Sequence, residues 1–262
     1  MNIIEASNIV YKNKNKMLFH NINLEIEEGS FVTVIGENSS GKTTLIKLLS
    51  GQIIDNLNIK INNIQVNKFN AEEISKMISV INSYNEFYSK TVIEEILQDK
   101  KNVSVFEINK VKKMLDEFNL LYLEKMPVQN LSYAENQIIA LIKAIIKEPK
   151  IIVLDNAFSK LDRDKRKELL EYISKYSKKN KVTILTTTNN MEELKYSDRI
   201  LLIKYSNIFF DGTYHDLIRN VDLNKEGLKY PWEIEVSDKL KLYGLVNDLY
   251  DDLDKLVGDL CR

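Results

Sequence analysis

The sequence predicts an α/β fold organised around a mainly parallel sheet, and three observations carry that expectation. The run Phe31 to Ile35 has the continuous apolar, β-branched character of a strand covered on both faces, broken only by Thr33, and it leads straight into a glycine loop and a helical pattern. Two further apolar runs, Ile151 to Leu154 and Val182 to Leu185, flank a helical stretch from Asp164 to Tyr176. Strand, helix, strand alternation of this kind builds parallel sheets with right-handed crossovers. Composition agrees: of 262 residues 44% are hydrophobic and the charges nearly cancel to −1, as in an ordinary soluble globular protein.

From the N-terminus, Ile3 to Tyr11 and Ile22 to Ile26 alternate in polarity and predict half-buried antiparallel strands, separated by the polar loop Lys12 to Lys16. Glu27-Glu28-Gly29 reads as a turn before the buried strand. Between Lys42 and Ser50, Leu45, Ile46, Leu48 and Leu49 fall at helical spacing, with Gly51 as the stop. Short strands are expected at Ile59 to Val66 and Ile78 to Ile81, then helices near Val92 to Gln98 and Ile108 to Phe118. A helix from Ser132 to Lys147 is marked by Ile138, Ile139, Leu141, Ile142, Ile145 and Ile146, and by Pro149 beyond its end. Past Val221, Leu245, Leu249, Leu253, Leu256 and Leu260 predict one apolar helix face beside Asp248, Asp251, Asp252 and Asp254. That face packs either on its own domain or on a second subunit.

Several function classes are disfavoured. A near-neutral chain has no global basic field for nucleic acid, so no nucleic-acid partner is expected. The one cysteine, Cys261, permits no intrachain disulfide. The first sixteen residues lack the pattern of a secretory signal, and no run approaches the roughly 20 apolar residues of a membrane span. Service to a membrane is therefore expected from its side.

Gly36-Glu37-Asn38-Ser39-Ser40-Gly41-Lys42-Thr43, followed by Thr44, has the residues of a cradle for nucleotide phosphates. The glycines allow a tight turn whose N–H groups point inward, and the following helix presents its positive end to the same anion. Lys42 is expected to reach the β- and γ-phosphates, and the Thr43 hydroxyl to ligate Mg²⁺. Asp155 ends the run Ile151-Ile-Val-Leu-Asp155, which places a carboxylate at the carboxyl edge of a parallel sheet, where ligands bind in such folds. It is the second candidate partner of Mg²⁺.

Read with Leu131-Ser-Tyr-Ala-Glu-Asn-Gln137 and Ser159-Lys-Leu-Asp162, these residues resemble the nucleotide-binding domain of ABC transporters, in matching motif order over about residues 3 to 220. The resemblance implies a P-loop NTPase (RecA-like) core with an antiparallel β subdomain, a helical signature subdomain at roughly 82–148, and a small C-terminal helical extension at 221–262. It also implies ATP and Mg²⁺ as cofactors. The Walker A loop is intact, but later motifs depart from the family. Asn82 stands at the position of the family's loop glutamine, with a possible water-bridged metal contact. In the signature Ser132 persists, a nucleotide contact for the partner subunit's site, while Tyr133 and Ala134 replace glycines and Glu135 replaces glutamine. Ser132 and Glu135 equally form a capping box open to any helix. Asn156 stands where the family has the glutamate that polarises water, and Asn189 aligns with the switch histidine. An amide cannot accept the proton, and losing general-base help costs about 10²- to 10⁴-fold. Tyr11 is the aromatic that the resemblance offers for stacking on adenine, or else a cross-strand core tyrosine.

Gly227-Leu-Lys-Tyr-Pro-Trp232 and the closing Lys255-Leu-Val-Gly-Asp-Leu-Cys261 are similar to the C-terminal extension of energy-coupling-factor and cobalt-type importer ATPases. What this implies is an ATP-binding subunit on the cytoplasmic face of the membrane, taking up a vitamin or metal ion with a transmembrane scaffold. A second ATPase subunit, in a heterodimer, would supply hydrolysis. The alternative is a non-transport ATP-binding regulatory module. A small-molecule kinase is disfavoured because five scattered arginines make no phosphoryl-clamping lid.

Overall fold

The computed structural model describes residues 1–14, 16–100 and 102–261, and divides its strands between two sheets. In the smaller, β1 (Asn2–Asn13) and β2 (Lys16–Glu27) pair antiparallel, extending the expected strands at both ends. β1 also pairs with β4 (Asn58–Ile61), which is joined to β5 (Ile64–Gln65). The single strand expected from Ile59 to Val66 is thus a hairpin. Its turn residues, Asn62 and Asn63, both adopt positive φ, at 50° and 65°. Asparagine tolerates that region better than other side chains, and two such residues form the tight turn whose twist suits a hairpin.

The larger sheet follows the order β10-β9-β3-β8-β7-β6. β6 (Ile78–Asn82), β7 (Ile151–Asp155), β8 (Thr183–Thr187), β3 (Phe31–Ile35) and β9 (Arg199–Lys204) run parallel, and β10 (Asn207–Gly212) closes the edge antiparallel. The expected parallel sheet is present, enlarged by β9 and β10. All five residues of β3 and of β8 are buried.

Helix α1 (Lys42–Leu49) packs Leu45, Ile46 and Leu48 against both sheets in one core, with Phe19 of β2 and Ile61 of β4. After the short α2 (Ala71–Lys76), a second core gathers α3 (Val92–Leu97), α4 (Val105–Glu117), α5 (Tyr133–Ile146) and α6 (Arg163–Asn180). The capping box expected at Ser132 is present: its hydroxyl accepts from the Glu135 N–H and the Glu135 carboxylate from the Ser132 N–H at 2.7 Å. Here too lies an ion pair between fully buried Glu95 and half-buried Lys143, with Nζ 2.5 Å from Oε1.

A third core joins β9 to α7 (Tyr214–Asn220) and α8 (Trp232–Leu242) through Leu202, Leu217, Leu223, Leu228 and Ile234. The leucine series does not form one helix. α8 ends at Leu242, Gly244 turns the chain with φ of 68°, and only α9 (Leu253–Leu260) resumes. The intervening loop folds back on α8, where Ser237 Oγ accepts the Tyr250 N–H at 2.7 Å and donates to the Asp248 carbonyl at 3.2 Å. Asp252 then starts α9 by accepting from the N–H groups of Asp254 and Lys255. Leu256 is buried and Leu249 half-buried, whereas Leu245 is exposed.

Candidate functional site

The phosphate-loop residues lie between the end of β3 and the start of α1, beneath a cleft of about 380 Å³, within the size range of small-molecule sites. Asn38, Ser39, Gly41, Lys42, Thr43 and Thr44 line it together with Asn156 and Asn189. Gly36 is required by space as well as by conformation: its φ is 145°, and a Cβ there would lie 2.6 Å from the Ile203 carbonyl oxygen of β9. Ser40 Oγ is buried in the loop without a hydrogen-bond partner.

No side chain caps α1 and no acid occupies its first turn, in contrast to α4, α5 and α6, each capped by a serine or aspartate side chain. Its positive end is therefore left for an anion. The buried Lys42 ammonium donates to the carbonyls of Gly36 and Glu37 at 2.7 and 2.9 Å. Burial lowers its pKa from the usual lysine value, opposed by the attraction of Asp155. A partly desolvated cation beside an uncapped helix end gains from an incoming polyphosphate.

Asp155, at the end of β7, accepts two hydroxyls on Oδ1: Thr43 at 2.9 Å and Thr187 of β8 at 2.7 Å. A hydroxyl and a carboxylate held together are hard oxygen donors of the kind Mg²⁺ takes alongside nucleotide phosphates. Among the described residues no group of three or more acidic, histidine or cysteine side chains forms a protein-only cage. These residues fit a metal that arrives with phosphates.

Ser39 carries φ of 63° within the loop, which costs a residue with a Cβ roughly 1–2 kcal/mol. Ser39→Gly is expected to raise stability by up to about 1 kcal/mol once the added freedom of the unfolded chain is subtracted. A thermal melt showing a lower midpoint would contradict this.

The three asparagines do not meet. Asn156, with φ of 50°, directs its N–H to the Thr187 hydroxyl at 3.0 Å, and Asn189 Nδ2 donates to Asn38 Oδ1 at 3.0 Å, so both border the cleft. Asn82 pairs with Asp155 across β6 and β7, but lines a neighbouring groove with Tyr84, Tyr88, Lys143 and Lys147. Tyr11 does not line the cleft; it packs half-buried against the core of the two sheets. Asn13, Lys16 and Leu18 from the same hairpin line it instead, a contribution hidden in what read as a polar loop. Ser132 lies at the α5 terminus, outside the cleft.

A strand leading into this loop, an anion-ready helix and a carboxylate at the end of β7, two strands away in the sheet, define a P-loop nucleotide-binding domain. The family profile described as ABC transporter matches residues 19–159. An energy-coupling factor transporter ATP-binding protein of Oenococcus oeni is 30% identical over 255 residues, covering 94% of this chain and 92% of the relative. One from Ligilactobacillus salivarius is 29% identical over 271 residues, covering 100% and 96%. Among solved structures, CbiO1 of Clostridium perfringens, part of the ABC transporter complex CbiONQ, superposes with a TM-score of 0.76 at 20% identity over 92% of this chain and 95% of that one. The chain belongs to the ABC transporter ATP-binding family, on the branch of the energy-coupling-factor ATP-binding proteins. ATP is the nucleotide this family binds.

Proposed function

We propose that this chain is the ATP-binding subunit of an energy-coupling-factor-type importer, and that its own site binds MgATP but hydrolyses it poorly. The observation behind the second half is the lining of the cleft. An intact phosphate loop faces Asn156 and Asn189; the Asp155 carboxylate is engaged by Thr43 and Thr187, and no other carboxylate and no imidazole is among the described residues that line the cleft. Lys42 and the α1 terminus would hold the phosphates, and Thr43 and Asp155 the Mg²⁺, which neutralises charge on the transferring phosphoryl group when bound. Without a base to take the proton from water, binding outlasts turnover.

A partner ATPase subunit with an intact glutamate and histidine would supply hydrolysis, with Ser132 facing that subunit's nucleotide and Tyr11 reaching adenine. Asn82, paired in register with Asp155 at the same sheet edge, would contact the metal through a water. Residues 1–220 would form the nucleotide-binding domain, with 82–148 as its helical part and 221–262 as an extension against the partner. No helix among the described residues is long and apolar enough to cross a membrane. The groove lined by Tyr84, Tyr88, Lys143 and Lys147, with both tyrosines exposed, would receive a transmembrane subunit at the cytoplasmic face. The names of the relatives support transport, and a vitamin or metal ion is the cargo we propose.

ATP binding and phosphate release measured together test this reading. The chain alone is expected to bind MgATP with negligible turnover, gaining activity on addition of the partner. Asn156→Glu is expected to raise turnover at this chain's own site by about 10²-fold or more, read in a complex whose partner subunit has lost its own glutamate. Brisk turnover by the unmodified chain alone would show that another group activates water.

A further inference from the structure

The segment Leu223 to Trp232, which joins α7 to α8 and includes the first residue of α8, touches the phosphate loop at one end and at the other lines a cavity that adjoins the nucleotide cleft. Its buried residues Leu223 and Leu228 anchor it in the third core, and between them the chain turns at Gly227, where φ is 66°. A Cβ at Gly227 would lie 3.0 Å from Glu37 Oε1 and 3.3 Å from Glu37 Cγ, so this turn rests directly on the phosphate loop. The neighbouring Glu226 is tied to Lys204 at the end of β9, with Nζ to Oε2 at 2.5 Å. The preceding residue of β9, Ile203, presents the carbonyl that abuts Gly36. At its other end, Lys229 to Trp232 line a cavity of about 610 Å³ together with Asn156 and Asn189.

Nucleotide would change the hydrogen bonding of the contacted loop. In the structure Lys42 Nζ donates to the Glu37 carbonyl, and a phosphate would draw that ammonium away. Glu37 is thus fixed from one side by a bond that nucleotide must break, and from the other by the turn at Gly227. A ligand shifts a conformational equilibrium by its difference in affinity for the two states, and a segment packed on one of them shares the shift.

We infer that Leu223 to Trp232 is a strap whose position is coupled to nucleotide occupancy, so that MgATP entering the phosphate loop moves Trp232, and the strap in turn sets nucleotide affinity. This rests on the reading of the cleft as an ATP site. The strap carries that occupancy to α8 and the rest of the extension, the part proposed to meet the partner ATPase.

The chain has a single tryptophan, Trp232, so its intrinsic fluorescence reports on the strap alone. MgATP is titrated into the purified full-length chain, with excitation at the red edge of the tryptophan band, while calorimetry follows binding independently. The expected result is a saturable change in Trp232 emission that tracks the calorimetric isotherm and is lost in Lys42→Ala. Glu226→Gln, which keeps shape but removes the charge facing Lys204, is expected to change the calorimetric affinity by about threefold or more and to reduce the emission change at saturation. Circular dichroism confirms that each variant is folded, and Lys204→Met repeats the disconnection from the other side should Glu226→Gln fold poorly. Saturable binding by calorimetry with unchanged Trp232 emission would overturn the strap. So would Glu226→Gln and Lys204→Met leaving both affinity and emission response as in the unmodified chain. An absence of calorimetric binding would instead refute the ATP site itself.

Discussion

Lys42→Ala is expected to weaken MgATP binding by about 10²-fold while leaving the fold intact, measured by calorimetry beside a circular-dichroism spectrum. The ammonium is buried in the loop, aimed by two carbonyls at 2.7 and 2.9 Å, and burial has already removed much of its hydration. Charge-assisted hydrogen bonds contribute about 1.5–3 kcal/mol each, and bonds to anionic phosphate oxygens exceed the neutral carbonyl contacts they replace. A net of about 2.7 kcal/mol corresponds to 10²-fold in affinity. Lys42→Arg is not expected to rescue binding, because a planar fork does not fit a pocket shaped around a point charge. Unchanged affinity in Lys42→Ala would mean that the nucleotide lies elsewhere.

Lys143→Met is expected to destabilise the chain by about 3 kcal/mol, the low end of the usual cost of stranding a buried charge, because Lys143 itself is half-buried. Glu95 is fully buried, and its other oxygen, Oε2, accepts the N–H groups of Tyr88 and Ser89 at 2.9 and 2.8 Å. Burial by itself raises this carboxyl's pKa, yet the Lys143 hydrogen bond, the two backbone donors and the Lys143 charge outweigh it, and the net shift is downward. With the folded value below the unfolded one, the unfolded chain binds the extra proton first. The stabilisation is therefore full above the unfolded value of about 4.3 and fades as pH falls through the folded value. Lys143→Met removes part of that acid sensitivity. Chemical denaturation at pH 7 and at acid pH checks both statements, and a variant as stable as the parent at pH 7 would refute the first.

Legibility in the sequence followed how local each signal was. β3, the loop and α1 were readable because strand, glycine loop and apolar helix are contiguous, and Asp155 because it closes a short apolar run. The box at Ser132 needs only two residues three apart. The pairing of Glu95 with Lys143 was not readable, since 48 positions separate partners joined only by the packing of α3 on α5. β9 passed unread because its apolar residues, Ile200 to Ile203, draw their meaning from β3 beside them. In the tail, helical spacing alone was misleading. Spacing shows which residues could share a face, whereas Gly244 and the backbone-seeking carboxylates of Asp248 and Asp252 decide where a helix stops and starts. Lys16 at the cleft was missed because a loop's composition does not show what it overhangs.

Asn156 follows directly on β7, and Asn189 stands two residues past β8, both beyond the last buried rung of the sheet. Neither side chain belongs to the apolar cores. Exposed Asn189 can be exchanged at little structural cost, whereas the left-handed backbone of Asn156 favours asparagine over other side chains, so the two positions are not equally open to change.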